Sequence, residues 1–325
     1  MNILAVVGMG SIAQRHLANL RLRHPAADIY VVSASGNNTI LPKKADSIIS
    51  LEELILLAPD YVIVASPAPH HVDVAQKLLT SNIPVLIEKP LADSVQRCAA
   101  FQTYCEQKKI KTVAVGYCLR FLPSAKVVKN YLDKGLLGTV YNIQSNVGQY
   151  LPDWRADKKY KDSVSSRKCL GGGALLELSH ELDYLQWFLG DLTLQHSCLR
   201  TTDELGIDVE DIANLVLFSK KNVHVSVHLD FIQKSTQRSC EIIGQHGRLF
   251  WDLLENTVVL YHSSGKATLY SGTKYDKNNI YLDMLADFEN MINGGKNSLA
   301  RIETATKIVK IIDEAKELNR WRKIG

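Results

Sequence analysis

Asn2-Ile3-Leu4-Ala5-Val6-Val7-Gly8-Met9-Gly10-Ser11-Ile12-Ala13 opens the chain with a short apolar run that breaks directly into two glycines. A continuous apolar run of this length suits a strand buried on both faces of a parallel sheet. The residues that follow place Ile12, Leu17 and Leu20 at helical spacing. Between strand and helix, Gly8 to Ala13 has the form GxGxxA. Glycines there allow a tight turn and let the backbone approach a pyrophosphate. The helix start at Ser11 then offers free N–H groups and a positive dipole end to the anion. A glycine turn by itself is a common structural device; between a first strand and a helix it points to a dinucleotide.

Working outward, strand-like runs recur at residues 29–32, 61–65, 84–87 and 112–115, with helical segments such as 72–79 and 94–108 between them. Strand and helix in alternation with short links predict an α/β fold with a doubly wound sheet. The end of the second strand discriminates between dinucleotides, because a carboxylate there binds the ribose 2′-hydroxyl of NAD. Here it reads Val31-Val32-Ser33-Ala34-Ser35-Gly36-Asn37, with no acid. Ser33 and Ser35 leave room for a 2′-phosphate, and Lys43 and Lys44 follow, although no Arg stands at the expected place. The cofactor expected is NAD(P), with NADP slightly favoured over NAD. Two further pieces end strands where open α/β sheets bind ligands. Ser66-Pro67-Ala68-Pro69-His70-His71 forms a turn that would lie along the nicotinamide ribose, and Glu88-Lys89-Pro90 closes the run at 84–87. An isolated loop lysine carries no message, but Lys89 between an acid and a proline at such a strand end is a site candidate.

With 325 residues, at about 150 residues per domain, two domains are expected. Hydrophobic residues at 46% and charged residues at 22% describe a globular chain rather than a disordered one. A net charge of +4, from 38 basic and 34 acidic residues, gives no case for nucleic acid as partner. The basic end from Lys307 to Lys323 alternates with Asp313, Glu314 and Glu317 and reads as a solvated face. None of the six cysteines forms a CxxC pair, so reduced, buried thiols are expected. No apolar run approaches the ~18 residues of a membrane span. The apolar start lacks a basic segment before it, so it is not read as a signal peptide, and a cytoplasmic location is expected.

The second half carries strand-like alternation at residues 139–147, 213–218, 223–231 and 238–243. His224 and His228 fall on one strand face with Ser226. Without a carboxylate or Cys partner they are expected to be surface or sheet-interface residues, and no metal is expected. Tyr281, Leu285, Phe288 and Ile292 share a helical face and read as core. The most informative stretch is Gly171-Gly172-Gly173-Ala174-Leu175-Leu176-Glu177-Leu178-Ser179-His180-Glu181-Leu182-Asp183. Its glycines permit close backbone packing before a helix beginning near Ser179, and His180 and Asp183 stand three apart on one helical face. A lone histidine more often packs or caps its own helix. Imidazole nevertheless titrates at about 6.5, which suits a group that gives and takes protons. Before this stretch lie Trp154, Arg155, Tyr160 and Arg167. Arg pairs with carboxylate or phosphate and Trp stacks on sugar rings. A surface loop that packs its own aromatics is the other reading.

Taken in order, GxGxxA at Gly8, SPxxxH at Ser66 to His71, Glu88-Lys89-Pro90, Gly116-Tyr117, Arg120-Phe121, residues 135–140, the glycine run and residues 244–247 resemble the Gfo/Idh/MocA family of NAD(P)-dependent oxidoreductases. The resemblance implies an N-terminal Rossmann domain, residues 1–121. It also implies a C-terminal α+β domain, residues 122–325, with a large open, mostly antiparallel sheet, and final helices that pack back on the first domain. Through that sheet it implies a homodimer or homotetramer. The implied cofactor contacts are Gly8, Gly10, Ser11, Ile12, Ala13, Ser33, Ser35, Ser66, Pro67, His71, Glu88 and Lys89. Lys89 and His180 are the implied catalytic pair, either one carrying the proton, with Tyr117, Arg120, Glu177 and Asp183 at the substrate. Glu177 stands where the family has Asp, and one residue is missing before His180, so its projection differs. The substrate implied is a small carbohydrate. The 149–167 segment and the GGGxxxELSHELD variant resemble members encoded with bacterial surface-polysaccharide genes, which suggests an acidic or nucleotide-activated sugar of the nonulosonic type. Other readings are a glycosidase or epimerase with transient redox chemistry, a non-catalytic dinucleotide sensor, and a biliverdin-type reductase, which the charged site fits less well.

Overall fold

The computed structural model describes residues 1–33, 40–154 and 159–320. Ser35 and Arg155, along with Arg322 and Lys323, lie outside the described residues. The chain divides into two compact units. One joins Met1–Cys118 to Asn278–Thr306; the other joins Leu119–Lys277 to the chain from Lys307 onward.

In the first unit β1 (Ile3–Val7), α1 (Ser11–Arg23), β2 (Asp28–Val32), β3 (Ser47–Ile49), α2 (Leu51–Leu57), β4 (Tyr61–Val64), α3 (His71–Thr80), β5 (Val85–Glu88), α4 (Val95–Gln107) and β6 (Val113–Gly116) follow one another. The strands form one parallel sheet in the order β3-β2-β1-β4-β5-β6. Leu4, Ala5 and Val6 are fully buried, as a strand covered on both faces requires. The order turns back at β1, so the carboxyl ends of β1 and β4 flank the switch point where such sheets take ligands. Gly8 ends β1 with φ +122°, and a Cβ there would stand 2.4 Å from the Ala65 carbonyl oxygen. Only glycine fits both the conformation and the gap.

The second unit holds α5 (Pro123–Asp133), β7 (Val140–Gly148), α6 (Ala174–Glu177), α7 (His180–Leu189), β8 (Leu192–Arg200), β9 (Ile212–Ser219), β10 (His224–Asp230), β11 (Gln237–Gly244), β12 (Gly247–Asp252), β13 (Thr257–His262) and β14 (Gly265–Ser271). Its sheet runs β14-β13-β12-β11-β7-β10-β9-β8 and is antiparallel except at β7 and β10. One face is core: Ile143, Leu215, Val225, Val227, Ile242 and Trp251 are buried, and Tyr184 of α7 packs on Trp251 at 5.0 Å between ring centroids. The opposite face carries Asn142, Asn214, Ser226, His224 and His228, all partly or fully exposed. His224 Nδ1 meets Asn142 Oδ1 at 2.8 Å, while His228 meets Asn214 Oδ1 and Asp230 Oδ2, each at 2.8 Å. His228 therefore has the carboxylate partner that the sequence reading denied it. Among the described residues no group of three or more His, Cys, Asp or Glu side chains is placed to hold a metal ion. Cys169 and Cys198 are exposed, against the expectation of buried thiols; the other four are buried.

The last two helices are α8 (Asn279–Ile292) and α9 (Ile302–Arg320). In the first unit, Met284, Leu285 and Phe288 of α8 are fully buried, while Tyr281 and Ile292 are half-buried. Asn278 and Asn19 exchange side-chain amide hydrogen bonds of 2.8 and 3.3 Å. Glu289 is the hub: it pairs with Arg23, meets His24 Nε2 at 2.8 Å and accepts from the Tyr61 hydroxyl at 3.0 Å. In the second unit, Lys307 pairs with Asp191 at 2.9 Å and Ser197 Oγ donates to the Ala315 carbonyl at 3.0 Å. No helix among the described residues is long and apolar enough to cross a membrane.

Burial pushes the Glu289 carboxyl up, but hydrogen bonds and charge from Arg23 and His24 outweigh it and hold its pKa below the usual glutamate value. A depressed carboxyl stabilises the fold above its unfolded pKa and loses that stabilisation as pH falls. Glu289→Gln is expected to cost about 1–3 kcal/mol at neutral pH. The difference in Tm between the proteins should narrow as pH falls below about 4.3, the unfolded glutamate value, and through the lower folded pKa. A gap that stays constant in acid would contradict this account.

Candidate active site

The first unit supplies a nucleotide cradle at the carboxyl ends of its strands. Gly10 caps α1 with nothing within 4 Å of where its Cβ would be, so the backbone there faces open space. The first helical bond of α1 is Gln14 N–H to Gly10 O at 3.0 Å. Among the described residues the amides of Ser11, Ile12 and Ala13 are therefore left over, and no acidic side chain sits in the first turn to occupy them. The Ala13 side chain is fully buried and packs inward. Ser33 follows β2, and residues 33–37 of the sequence contain no acid. Ser66 follows β4 and Ala65, and its buried hydroxyl has no hydrogen-bond partner among the described residues. An orphaned buried hydroxyl, free helix-end amides and a backbone without Cβ all fit a dinucleotide.

Two residues expected at the cofactor sit beneath this surface. Glu88 is buried, with Oε1 at 2.7 Å from His16 Nε2 and Oε2 accepting the Lys89 amide at 3.1 Å. His71 is only 1% exposed, and its ring nitrogens reach the carbonyl oxygens of Pro90 (2.8 Å) and Ser66 (2.6 Å). They shape the cradle and do not face it. Tyr117, expected at the substrate, is buried as well. From Val85 to Ala92, Lys89 is the one residue that is not buried.

In the second unit the glycine run is a place of close approach. A Cβ on Gly172 would stand 2.4 Å from the Val164 carbonyl oxygen, and one on Gly173 (φ +109°) 2.4 Å from Glu210 Oε1. The Glu210 carboxylate accepts the Leu175 amide at 3.1 Å and its backbone carbonyl accepts the Ala174 amide at 3.0 Å, which caps the short helix α6. Burial lifts the Glu210 carboxyl above its ordinary pKa, against Lys316. Sequence reasoning missed Glu210; the glycines announced a tight neighbour without naming it.

Beyond α6, Ser179 caps α7 and three of the next residues turn inward. Glu181 is held by Arg238 Nε and Nη2 at 2.7 and 3.0 Å. Asp183 is held by Arg120 Nε and Nη2 at 2.9 and 2.6 Å. Tyr184 shares a 2.6 Å hydrogen bond with Ser145. Arg120 and Asp183, expected to meet substrate, thus satisfy each other in the core. From Gly171 to Gln186 only Glu177 and His180 are not buried. Trp154 packs edge-on against Phe231 at 5.2 Å, and Arg167 pairs with Asp162 at 2.5 Å, so both make contacts within their own unit.

Residues 3–117 match the family model described as an oxidoreductase family with an NAD-binding Rossmann fold, and residues 126–250 match the GFO/IDH/MocA C-terminal domain. The chain belongs to the Gfo/Idh/MocA family. Among relatives of this Gfo/Idh/MocA chain, the rhizopine catabolism protein MocA of Rhizobium meliloti is 27% identical over 196 residues, 58% of this chain and 57% of that protein. An inositol 2-dehydrogenase of Ralstonia nicotianae is 24% identical over 260 residues, 75% of this chain and 72% of that one. The match thus spans little more than half the length of MocA. Levoglucosan dehydrogenase in complex with NADH superposes with a TM-score of 0.84 at 19% identity, over 98% of this chain and 97% of that one. GenD2 from gentamicin A biosynthesis, in complex with NAD, gives 0.80 at 21% identity, over 98% and 94%. At these identities the likeness is one of fold.

Removing one partner of a buried ion pair strands the other charge. Asp183→Ala is expected to lower unfolding stability by about 3–5 kcal/mol. The double replacement Arg120→Met with Asp183→Leu should lose less than the single change, measured by denaturant unfolding of the full chain. Equal losses would show that the pair contributes no stranded-charge penalty.

Proposed function

We propose that this chain is an NAD(P)-dependent dehydrogenase that transfers a hydride between nicotinamide and a carbinol carbon of a sugar or sugar derivative. One observation carries the reading. In two runs of otherwise buried residues, 85–92 and 171–186, the accessible side chains are Lys89, Glu177 and His180, all ionisable. Burying every neighbour while leaving a lysine and a histidine accessible suits chemistry better than solubility. The names of the relatives, an inositol dehydrogenase and a levoglucosan dehydrogenase among them, support a polyhydroxylated substrate.

Bound at the Gly8–Ala13 turn, the nicotinamide cofactor would supply the hydride acceptor or donor. The residues of this chain handle the proton and the charge. In the oxidative direction a carbinol hydroxyl must lose its proton as the hydride departs. His180 is the base, its imidazole taking the proton and returning it in reverse. Lys89 sets an ammonium beside the developing alkoxide. Glu177 accepts hydrogen bonds from substrate hydroxyls, while Arg120 and Asp183 position α7 from behind.

The lack of a carboxylate after β2 supports NADP over NAD. Trp154 and Arg167 support an acidic or nucleotide-activated sugar, as made for surface polysaccharides. The open polar face of the second sheet supports a homodimer or homotetramer, and a cytoplasmic enzyme is the setting for this chemistry.

Nicotinamide absorbance, followed across polyols, sugar acids and nucleotide sugars with both cofactors, tests the proposal. Lys89→Ala and His180→Ala are each expected to lower kcat about 10²–10⁴-fold. Nucleotide Kd should change less than about threefold. If the residue retaining a pH-dependent kcat is His180→Ala, the proton belongs to Lys89. A panel without turnover, from protein that still releases nucleotide on denaturation, would replace dehydrogenation by transient redox chemistry or sensing.

A further inference from the structure

His71 heads α3 and its ring lies between two loops that end adjacent strands. One nitrogen reaches the Pro90 carbonyl after β5 at 2.8 Å, the other the Ser66 carbonyl after β4 at 2.6 Å. Both partners are acceptors only. A neutral imidazole has one N–H and one lone pair. It can donate to either carbonyl but must then aim its lone pair at the other, at hydrogen-bond distance and with the ring sealed from water. An imidazolium donates to both.

The charges around the ring accommodate that proton. Glu88, at the end of β5, is a buried carboxylate whose pKa is held down by His16 and Lys89 against burial. His16 touches it through Nε2, while His16 Nδ1 is buried with no hydrogen-bond partner among the described residues. The groups acting on His71 are Glu88, which favours its charge, and Lys89, which opposes it. Asp73, on the same helix, is exposed and paired with Arg97 at 2.6 Å. Burial is the largest influence and outweighs the Pro90 and Ser66 carbonyls and Glu88, so the His71 pKa lies below the ordinary histidine value and the doubly bonded imidazolium belongs to the acidic side.

We infer that His71 is a positioning residue that fastens the Ser66 loop to the Pro90 loop only as an imidazolium, so that its proton couples the nucleotide-facing Ser66 to Lys89. When the proton leaves, one of the two carbonyls is released. Ser66, whose hydroxyl is the orphan of the cradle, and Lys89, one residue from Pro90, then lose their common anchor. The charge state is readable without substrate, so this inference stands or falls apart from the assignment of the activity.

The full chain, labelled with ¹⁵N at histidine rings and ¹³C at serine and proline carbonyls, provides the test. Ring-nitrogen spectra would be recorded from mildly acidic to mildly alkaline pH. His71→Gln and His71→Asn assign the His71 signals. Both His71 nitrogens are expected to carry protons at the acidic end. Loss of one proton as pH rises should move the Ser66 or Pro90 carbonyl carbon with the same midpoint. Over that interval nucleotide Kd should weaken about tenfold, the weight of one hydrogen bond, and His71→Gln should bind weakly without that pH dependence. A ring that is neutral at the acidic end, or one whose titration leaves both carbonyl carbons unmoved, would overturn the inference.

Discussion

The contact of Gly8 with the Ala65 carbonyl is the constraint on which the first unit turns. Backbone meets backbone there at a distance no side chain permits. Because the ends of β1 and β4 come that close, the chain leaving Gly8 must climb at once into α1. The helix then starts with its amides uncapped at the switch point. The second unit repeats the device with different parts. Gly172 admits the Val164 carbonyl and Gly173 admits the Glu210 carboxylate, and a short helix and then α7 follow. In both units a gap that only glycine can fill fixes where a helix begins, and the helix start fixes which side chains emerge.

What emerges is set by what is held back. Three acidic residues of the segments bearing Lys89 and His180 (Glu88, Glu181 and Asp183) are buried, each against a named partner. Such burial is weak evidence for stability, since hydrophobic replacements often do as well. Its effect is geometric. A bidentate guanidinium permits few orientations of the carboxylate it grips. α7 is thereby held in rotation about its own axis by Arg238 and Arg120 together, which turns His180 outward.

Much of this was legible in the sequence. β1, β4, β5 and β6 announced themselves as unbroken apolar runs, because a strand covered on both faces needs no alternation. GxGxxA marked its own turn, and the start of α7 near Ser179 followed from the glycines before it. β3 escaped, being three half-buried residues long. β8, β12, β13 and β14 were not named either. Their outward-facing positions mix Phe250, Val259 and Tyr261 with polar residues, which blurs the period of two. The roles of Arg120, Asp183, His71 and Glu210 were unreadable for a different reason. Arg120 and Asp183 are 63 residues apart and Arg238 and Glu181 are 57 apart, and pairing across such distances leaves no local pattern. A histidine in a motif and a histidine facing a ligand look alike in one dimension. Only burial separates them.

The first unit is discontinuous, its closing helix α8 arriving after the whole second sheet. Arg23 and Glu289 are separated by 266 positions. At about 5–20 residues per second, a ribosome takes roughly 13–53 s to pass from one to the other. Through that interval the six-stranded sheet exists without the helix that covers Tyr61 and the end of α1, while the second sheet is already being synthesised. The first unit is therefore closed only after the sheet of the second has been made, and its apolar flank waits until α8 arrives.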